Sequence, residues 1–274
     1  MKQALLGAIV PLADLLEDGA DTLRRYDLNC CQVNCWDDAL MTQGNAERLL
    51  EKTQGITLVG LWAGWPGPKA WNFTEGPATL GLVPRDWRQR RLEALYKAAE
   101  FATWMGVTDV VTHIGFIPEN PSTTEYLDFI ACLRPLVQDY RARGLCFGFE
   151  TGQETPITLL RTIQDLGSEG LCINLDPANL LMYGKANPVD AVSIYGPYIH
   201  SVHVKDGLYP TNGQELGQEM PVGEGRVNFP ALLPALYQYG FEGSYVIERE
   251  ITGPQQGPDI LKARDLIRSI LATL

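Results

Sequence analysis

The segment LCFGFETGQETPITLLRTIQDLGSEGLCINLD, residues 145–176, contains the repeating unit of this fold. Its two ends, Leu145–Glu150 and Leu171–Asp176, are short, nearly continuous apolar runs, typical of strands that are buried on both faces of a parallel sheet. Between them, Pro156–Leu166 has apolar residues at helical spacing and stops before Gly167, which is typical of a helix C-terminus. The segment therefore predicts a strand, a crossover helix and a second, parallel strand.

The same kind of apolar run recurs along the whole chain. We predict eight strands, at Leu5–Val10, Cys31–Trp36, Ile56–Trp62, Asp109–Ile114, Leu145–Glu150, Leu171–Asp176, His200–Lys205 and Ser244–Glu248. Helical periodicity separates them, most clearly at Trp87–Met105, Thr123–Arg143 and Asp259–Leu271. The regular spacing of about 30 residues per unit favours a closed barrel over an open sheet.

An open, doubly wound sheet is the alternative architecture. If such a sheet bound a dinucleotide, it would usually carry a glycine-rich turn after its first strand, and none follows Val10. We therefore predict an α/β protein with one domain, residues 1–274, folded as a single (β/α)8 TIM barrel.

The composition indicates which classes of binding partner and which cellular compartment to expect. The formal net charge is −11, which argues against nucleic acid, because phosphate-binding surfaces draw most of their affinity from Lys and Arg. The six cysteines show no paired pattern and lie mostly inside apolar runs, as reduced core residues do. No apolar stretch approaches the roughly 20 residues of a membrane span. We expect a cytoplasmic protein with neither a nucleic-acid nor a membrane partner.

Four consecutive predicted strands end in residues of metal-binding type: Glu150, Asp176, His203 and Glu248. The C-terminal ends of the strands in a (β/α)8 barrel surround one mouth, so these side chains are expected to converge there. Three carboxylates and one imidazole favour a hard or borderline cation such as Mn²⁺, Mg²⁺ or Co²⁺, and Zn²⁺ is also compatible. We predict one divalent ion at this mouth, with Mn²⁺ as the first choice.

Short motifs surround these four residues. They are Phe-Glu-Thr at 149–151, Leu-Asp-Pro-Ala-Asn at 175–179, His-Val-Lys-Asp at 203–206 and Ile-Glu-Arg-Glu at 247–250. The motifs resemble the xylose-isomerase-like sugar isomerases and epimerases, which include ketose 3-epimerases, hydroxypyruvate isomerase and inosose dehydratase. The resemblance implies that Glu150, Asp176, His203 and Glu248 hold the metal and that the two glutamates are the catalytic acid and base. It implies a metal-dependent isomerase or 3-epimerase acting on a ketose or a related sugar.

The chemistry of such a site allows more than one reaction. A divalent ion on a carbonyl and its neighbouring hydroxyl stabilises an enediolate, and carboxylates can then move a proton between faces or between carbons. The same intermediate can expel a leaving group. A dehydratase or eliminase acting on an inosose, a keto-sugar or a 3-keto-glycoside is therefore an alternative.

Two further classes are less favoured. Barrels resembling apurinic endonuclease IV hold several zinc ions with many more histidines, whereas this chain has three histidines and is acidic. A barrel that only binds sugar would have no need of a complete metal and acid/base set.

Other residues are candidates for contacts with the sugar. We predict substrate-binding roles for His113, Glu154, Asn179, Lys205, Arg226 and Trp62. Asn179 and Tyr209 stand where the ketose 3-epimerase branch carries a histidine and an arginine, so the identity of the sugar does not follow from the resemblance. His200 lies three residues before His203, and the alternation of side chains along a strand predicts that it points to the opposite face.

Two connections are too long to be simple turns between a strand and a helix. They span residues 63–85 and 207–228, and both follow predicted strands. In a barrel they would lie on the catalytic face as lids or walls, or extend a contact in a homo-oligomer.

Overall fold

The chain forms a closed barrel of parallel strands in a computed structural model that describes residues 4–274. Ten strands lie within these residues: β1 (Leu5–Pro11), β2 (Cys30–Cys35), β3 (Thr57–Ala63), β4 (Asp109–Thr112), β5 (Cys146–Glu150), β6 (Leu171–Leu175), β7 (Ile199–Val204), β8 (Asp206–Gly207), β9 (Glu219–Met220) and β10 (Ser244–Ile247). Strands β1 to β7 and β10 form the barrel in chain order, and β10 pairs with β1 to close it. The predicted (β/α)8 barrel is confirmed, and the first three residues of the predicted domain lie outside the described residues.

Each of the eight predicted apolar runs coincides with one barrel strand. The largest difference is in β4, which ends at Thr112 and not at Ile114. Glu150 is the last residue of β5, and His203 is the second-last residue of β7. Asp176 and Glu248 directly follow β6 and β10. All four predicted ligands therefore lie at the same, C-terminal edge of the barrel.

Helices surround the barrel and bury the outer faces of its strands. They are α1 (Leu12–Asp18), α2 (Asp21–Arg25), α3 (Gln43–Lys52), α4 (Gly76–Thr79), α5 (Arg85–Met105), α6 (Thr124–Ala142), α7 (Pro156–Leu166), α8 (Pro177–Met182), α9 (Pro188–Tyr195), α10 (Phe229–Gln238) and α11 (Gln256–Leu271). Helix α7 ends at Gly167 with φ of 108°, a left-handed conformation that glycine adopts without strain. Among residues 4–274, the helices lack the combination of length and apolar character that crossing a membrane requires.

The long connection 63–85 is fastened to helix α5 by one buried arginine. The Arg91 guanidinium donates hydrogen bonds to the backbone oxygens of Gly81, Pro68 and Pro66, at 2.5, 2.8 and 3.1 Å. It also lies 4.1 Å from the ring centroid of Trp65, a cation–π contact. These contacts fix the path of the connection over the barrel mouth.

The second long connection, residues 207–228, is fastened by one carboxylate. Asp206 accepts hydrogen bonds from the backbone N–H groups of Gly207, Gly223, Gly225 and Val227, at 2.8 to 3.0 Å. Asp206 is buried and starts the β8–β9 ribbon. One side chain therefore holds the two ends of a segment of about 20 residues together. Its hydrogen bonds also satisfy backbone N–H groups that would otherwise be buried without a partner.

Candidate active site

The four predicted metal ligands come together at the C-terminal mouth of the barrel. Glu150, Asp176, His203 and Glu248 each offer one ligand atom, and these atoms lie within 4.8 Å of one another. His203 Nδ1 is 3.2 Å from Glu150 Oε1, 3.1 Å from Glu248 Oε2 and 3.8 Å from Asp176 Oδ2. Three carboxylates this close and this deeply buried require a compensating positive charge.

The imidazole of His203 is held by a residue that the sequence analysis missed. His203 Nε2 lies 2.7 Å from Gln32 Oε1, an atom that only accepts hydrogen bonds, so Nε2 carries the proton of the neutral ring. The other nitrogen, Nδ1, is thereby directed at the carboxylates. Among the described residues, neither His203 Nδ1 nor Asp176 Oδ2 has a hydrogen-bond partner, although both atoms are buried. These unsatisfied atoms fit a divalent ion, because metal-ligating histidines usually donate their second N–H to an outer partner.

The carboxylates also change the protonation of this histidine. Burial disfavours the charged form of His203, but the charges of Glu150 and Glu248 outweigh burial and hold its pKa well above the ordinary value. Burial raises the pKa of Glu150, but His203 and His113 together outweigh this effect and leave that pKa lowered. A proton on Nδ1 of His203 supplies positive charge to the cluster, and a divalent ion bound there would have to displace it.

Lys205 adds a second cation beside the cluster. Its Nζ lies 2.9 Å from Glu250 Oε2, 3.1 Å from Glu248 Oε2 and 3.5 Å from Asp176 Oδ2, and the side chain is buried. Burial lowers the pKa of Lys205, but the surrounding carboxylates outweigh burial and raise it well above the ordinary value. Burial raises the pKa of Glu248, but Lys205 and His203 outweigh burial and leave that pKa lowered. Glu248 is therefore ionised at neutral pH and able to accept a proton.

A cavity of about 230 Å³ lies at this mouth. It is lined by Asn34, Trp36, Trp62, Trp71, His113, Gln153, Asn179, Met182, Tyr183, Lys205, Leu216, Glu248 and Glu250. The indoles of Trp36, Trp62 and Trp71 form an aromatic wall, with ring centroids 4.9 Å apart for the first two. The volume is below the roughly 300 Å³ at which sites for drug-sized ligands begin, so the cavity suits a small ligand.

Trp62 links this wall to the four predicted metal ligands. Its Nε1 donates a hydrogen bond to Glu150 Oε2, so the indole both lines the cavity and orients a predicted ligand. Glu150 itself is buried and is not among the lining residues, whereas Glu248 is. The two predicted acid/base glutamates therefore differ in their access to a ligand.

Four of the six predicted substrate-binding residues line the cavity: Trp62, His113, Asn179 and Lys205. His113 Nε2 lies 3.7 Å from Glu150 Oε1, and the backbone N–H of Asn179 donates to Asp176 Oδ1, which caps helix α8. The long connections contribute Trp71 and Leu216, so both form walls of the cavity. Their predicted role in an oligomer stays a prediction.

The other two predicted residues lie elsewhere. Arg226 lines a second cavity, of about 260 Å³, together with Tyr209 and Asn228 on the side of helices α8 and α9. The hydrogen bonds of Asp206 determine this path, because they draw residues 223–227 away from the first cavity and onto Gly207. Glu154 is buried next to Gln153 but does not line the first cavity, and burial raises its pKa to about 7.

His200 does not follow the alternation expected of a strand. The β6–β7 register shifts between Ile173 and Asn174, which pair with Ile199 and Ser201, so His200 is an extra residue in a β-bulge. Its Nδ1 lies 3.1 Å from Asp109 Oδ2 on β4, three strands away. Such a contact passes across the N-terminal opening of the barrel. The prediction that His200 faces away from the interior is therefore wrong.

The comparison with known proteins agrees with this geometry. Residues 21–270 match the family described as xylose isomerase-like TIM barrel, and the chain belongs to this family. The crystal structure of a xylose isomerase domain protein from Planctomyces limnophilus is 29% identical, with a TM-score of 0.91 over 97% of both chains.

Two further relatives are more distant or match over a shorter stretch. The crystal structure of a D-tagatose 3-epimerase-like protein is 22% identical, with a TM-score of 0.74 over 98% of this chain and 97% of that chain, and it shows the fold alone. An uncharacterized protein of Methanocaldococcus jannaschii is 29% identical over 187 residues, which are 64% of this chain and 62% of the relative. That match spans less than two thirds of the relative's length.

Proposed function

We propose that this protein is a divalent-metal-dependent isomerase or 3-epimerase of a ketose or a related sugar, working through an enediolate. The observation that carries the proposal is the approach of two glutamates to one buried imidazole. Glu150 and Glu248 lie 3.2 and 3.1 Å from Nδ1 of His203, and Glu248 also lines the small cavity at the barrel mouth. Membership of the xylose isomerase-like family supports this reaction class.

Glu150, Asp176, His203 and Glu248 would hold the metal. When bound, a divalent ion polarises the carbonyl and hydroxyl of a sugar and lowers the barrier to removing the proton between them. The three carboxylates favour Mn²⁺, and Mg²⁺, Co²⁺ and Zn²⁺ remain compatible.

The two glutamates have different proposed roles. Glu248 faces the cavity and is kept ionised by Lys205, so it removes the proton from the sugar. Glu150, which accepts a hydrogen bond from Trp62, is the second proton carrier. Return of a proton to the opposite face of the same carbon gives epimerisation, and return to the adjacent carbon gives isomerisation. His113, Asn179 and Lys205 line the cavity, and their proposed role is to hydrogen-bond the sugar oxygens.

The charges of the cavity favour a sugar without a phosphate. Its lining contains Glu248 and Glu250, and the ammonium group of Lys205 already contacts both. A phosphate would meet two carboxylates and a lysine whose charge is already compensated. The aromatic wall suits the apolar face of a neutral sugar ring.

Deuterium exchange from solvent tests the proposal. Metal-loaded protein is incubated in D₂O with a panel of ketoses and keto-glycosides, and the products are analysed by NMR. Exchange at carbon 3 with inversion identifies an epimerase, and exchange at carbon 1 or 2 identifies an isomerase. Glu248→Gln should abolish exchange, whereas Glu224→Gln, in an exposed ion pair with Lys262, should retain it. Loss of water or of an aglycone would replace the proposal by the lyase alternative, and no exchange with any sugar would contradict both.

A further inference from the structure

The N-terminal end of the barrel holds a second group of metal-ligand residues. Asp109 begins β4, Cys146 begins β5, and His200 is the second residue of β7. One ligand atom from each lies within 4.8 Å of the other two. None of these residues contributes to the cluster at the mouth, which lies at the other edge of the barrel.

This group depends on an irregularity of the fold. The bulge at His200 inserts one residue into β7 opposite β6, and the imidazole then reaches Asp109 across the barrel opening, at 3.1 Å. Bulges often re-aim a side chain near functional sites. The imidazole is 41% exposed, so an ion from solvent has direct access to it.

The cysteine of the group has the character of a ligand. The neighbouring thiol of Cys172 lowers the pKa of Cys146 to about 7, although burial opposes the effect. The thiolate is the form of cysteine that binds metals. Cys146 is half-buried, whereas Cys172 lies fully buried behind it.

We propose that Asp109, Cys146 and His200 bind a second divalent ion, of the class that accepts sulfur, nitrogen and oxygen ligands together, such as Zn²⁺. In a tetrahedral zinc site the ligand atoms are roughly 3.3–3.8 Å apart, and here the three ligand atoms lie within 4.8 Å of one another. Three protein ligands leave a fourth position for water. The ion would tie β4, β5 and β7 together and close the bottom of the barrel.

Cobalt provides a selective probe, because the mouth cluster contains no sulfur. Co²⁺ is titrated into metal-free, reduced protein, and absorption is followed in the near ultraviolet, where thiolate-to-Co²⁺ charge transfer occurs. The wild type should show a charge-transfer band that saturates at one thiolate-bound Co²⁺ per chain and disappears when Zn²⁺ is added. His203→Ala, which removes a mouth ligand, should retain the band.

Variants of the group complete the test. Cys146→Ser should abolish the band, and Cys132→Ser, at another partly buried cysteine, should keep it. His200→Ala should weaken the Co²⁺ affinity reported by the band at least about tenfold, since even outer partners of a metal site are worth about 10- to 100-fold. The absence of a band in the wild type, or its persistence in Cys146→Ser, would overturn the proposal without affecting the proposed sugar reaction.

Discussion

Gln32 provides a sharp test of the proposed metal centre, because it contacts the proposed ligand His203 and lies outside the set that would hold the ion. Gln32→Leu keeps a side chain of similar size but removes the oxygen that lies 2.7 Å from His203 Nε2. Removing the outer partner of a metal-ligating histidine lowers metal affinity by about 10- to 100-fold. This range corresponds to about 1.4–2.7 kcal/mol of binding free energy. We expect the dissociation constant for Mn²⁺, measured by isothermal titration calorimetry on metal-free protein, to rise by that factor.

Two variants control this measurement. Gln32→Glu restores an acceptor for Nε2 and should recover most of the lost affinity, whereas Gln43→Leu, on the exposed start of helix α3, should bind Mn²⁺ as the wild type does. Urea unfolding of each metal-free variant separates a loss of affinity from a loss of folding. Wild-type affinity in a folded Gln32→Leu protein would refute the inference that Gln32 orients the histidine.

Three further perturbations have defined outcomes. Trp62→Phe keeps the aromatic wall but removes the hydrogen bond to Glu150, which is worth roughly 1.5–3 kcal/mol for a charged acceptor. The rate of deuterium exchange should therefore fall about 10- to 150-fold. An equal loss in Trp71→Phe would contradict the inference that Trp62 acts through its hydrogen bond to Glu150. Asp206→Asn weakens the four hydrogen bonds that fasten residues 207–228 and should lower the free energy of unfolding in urea by at least about 2 kcal/mol, whereas Asp14→Asn, on the exposed side of helix α1, should leave it nearly unchanged. The hydrogen bond to Asp109 raises the pKa of His200, so in metal-free protein the pair stabilises the fold below the ordinary histidine pKa of about 6.5. This stabilisation is lost as the pH rises through the raised pKa. Asp109→Asn should remove this pH dependence from the free energy of unfolding in urea, and an unchanged pH profile would contradict the prediction.

Much of the barrel could be predicted, because its signals are local. Most barrel strands are largely buried on both faces and are therefore nearly continuous apolar runs, as Leu171–Leu175 is. Glu150, Asp176, His203 and Glu248 could be assigned to one site since a closed parallel barrel brings all C-terminal strand ends to one mouth. Neither inference requires knowledge of how loops pack.

What could not be predicted depends on register and on distant contacts. Gln32 was missed because its position on the inner face of β2, opposite His203, follows only from the closure of the barrel. His200 was misplaced because one inserted residue reverses the alternation. Arg226 was assigned to the first cavity because the sequence does not show that Asp206 turns residues 223–227 toward another face.

The arginine beneath the first long connection has a consequence for affinity. Arg91 and the three carbonyl oxygens it contacts hold residues 66–81 in place before any ligand arrives, and this stretch carries Trp71. The conformational entropy of the wall is therefore lost during folding, and ordering the wall does not reduce the free energy of ligand binding. A ligand entering the cavity therefore meets a preorganised aromatic surface.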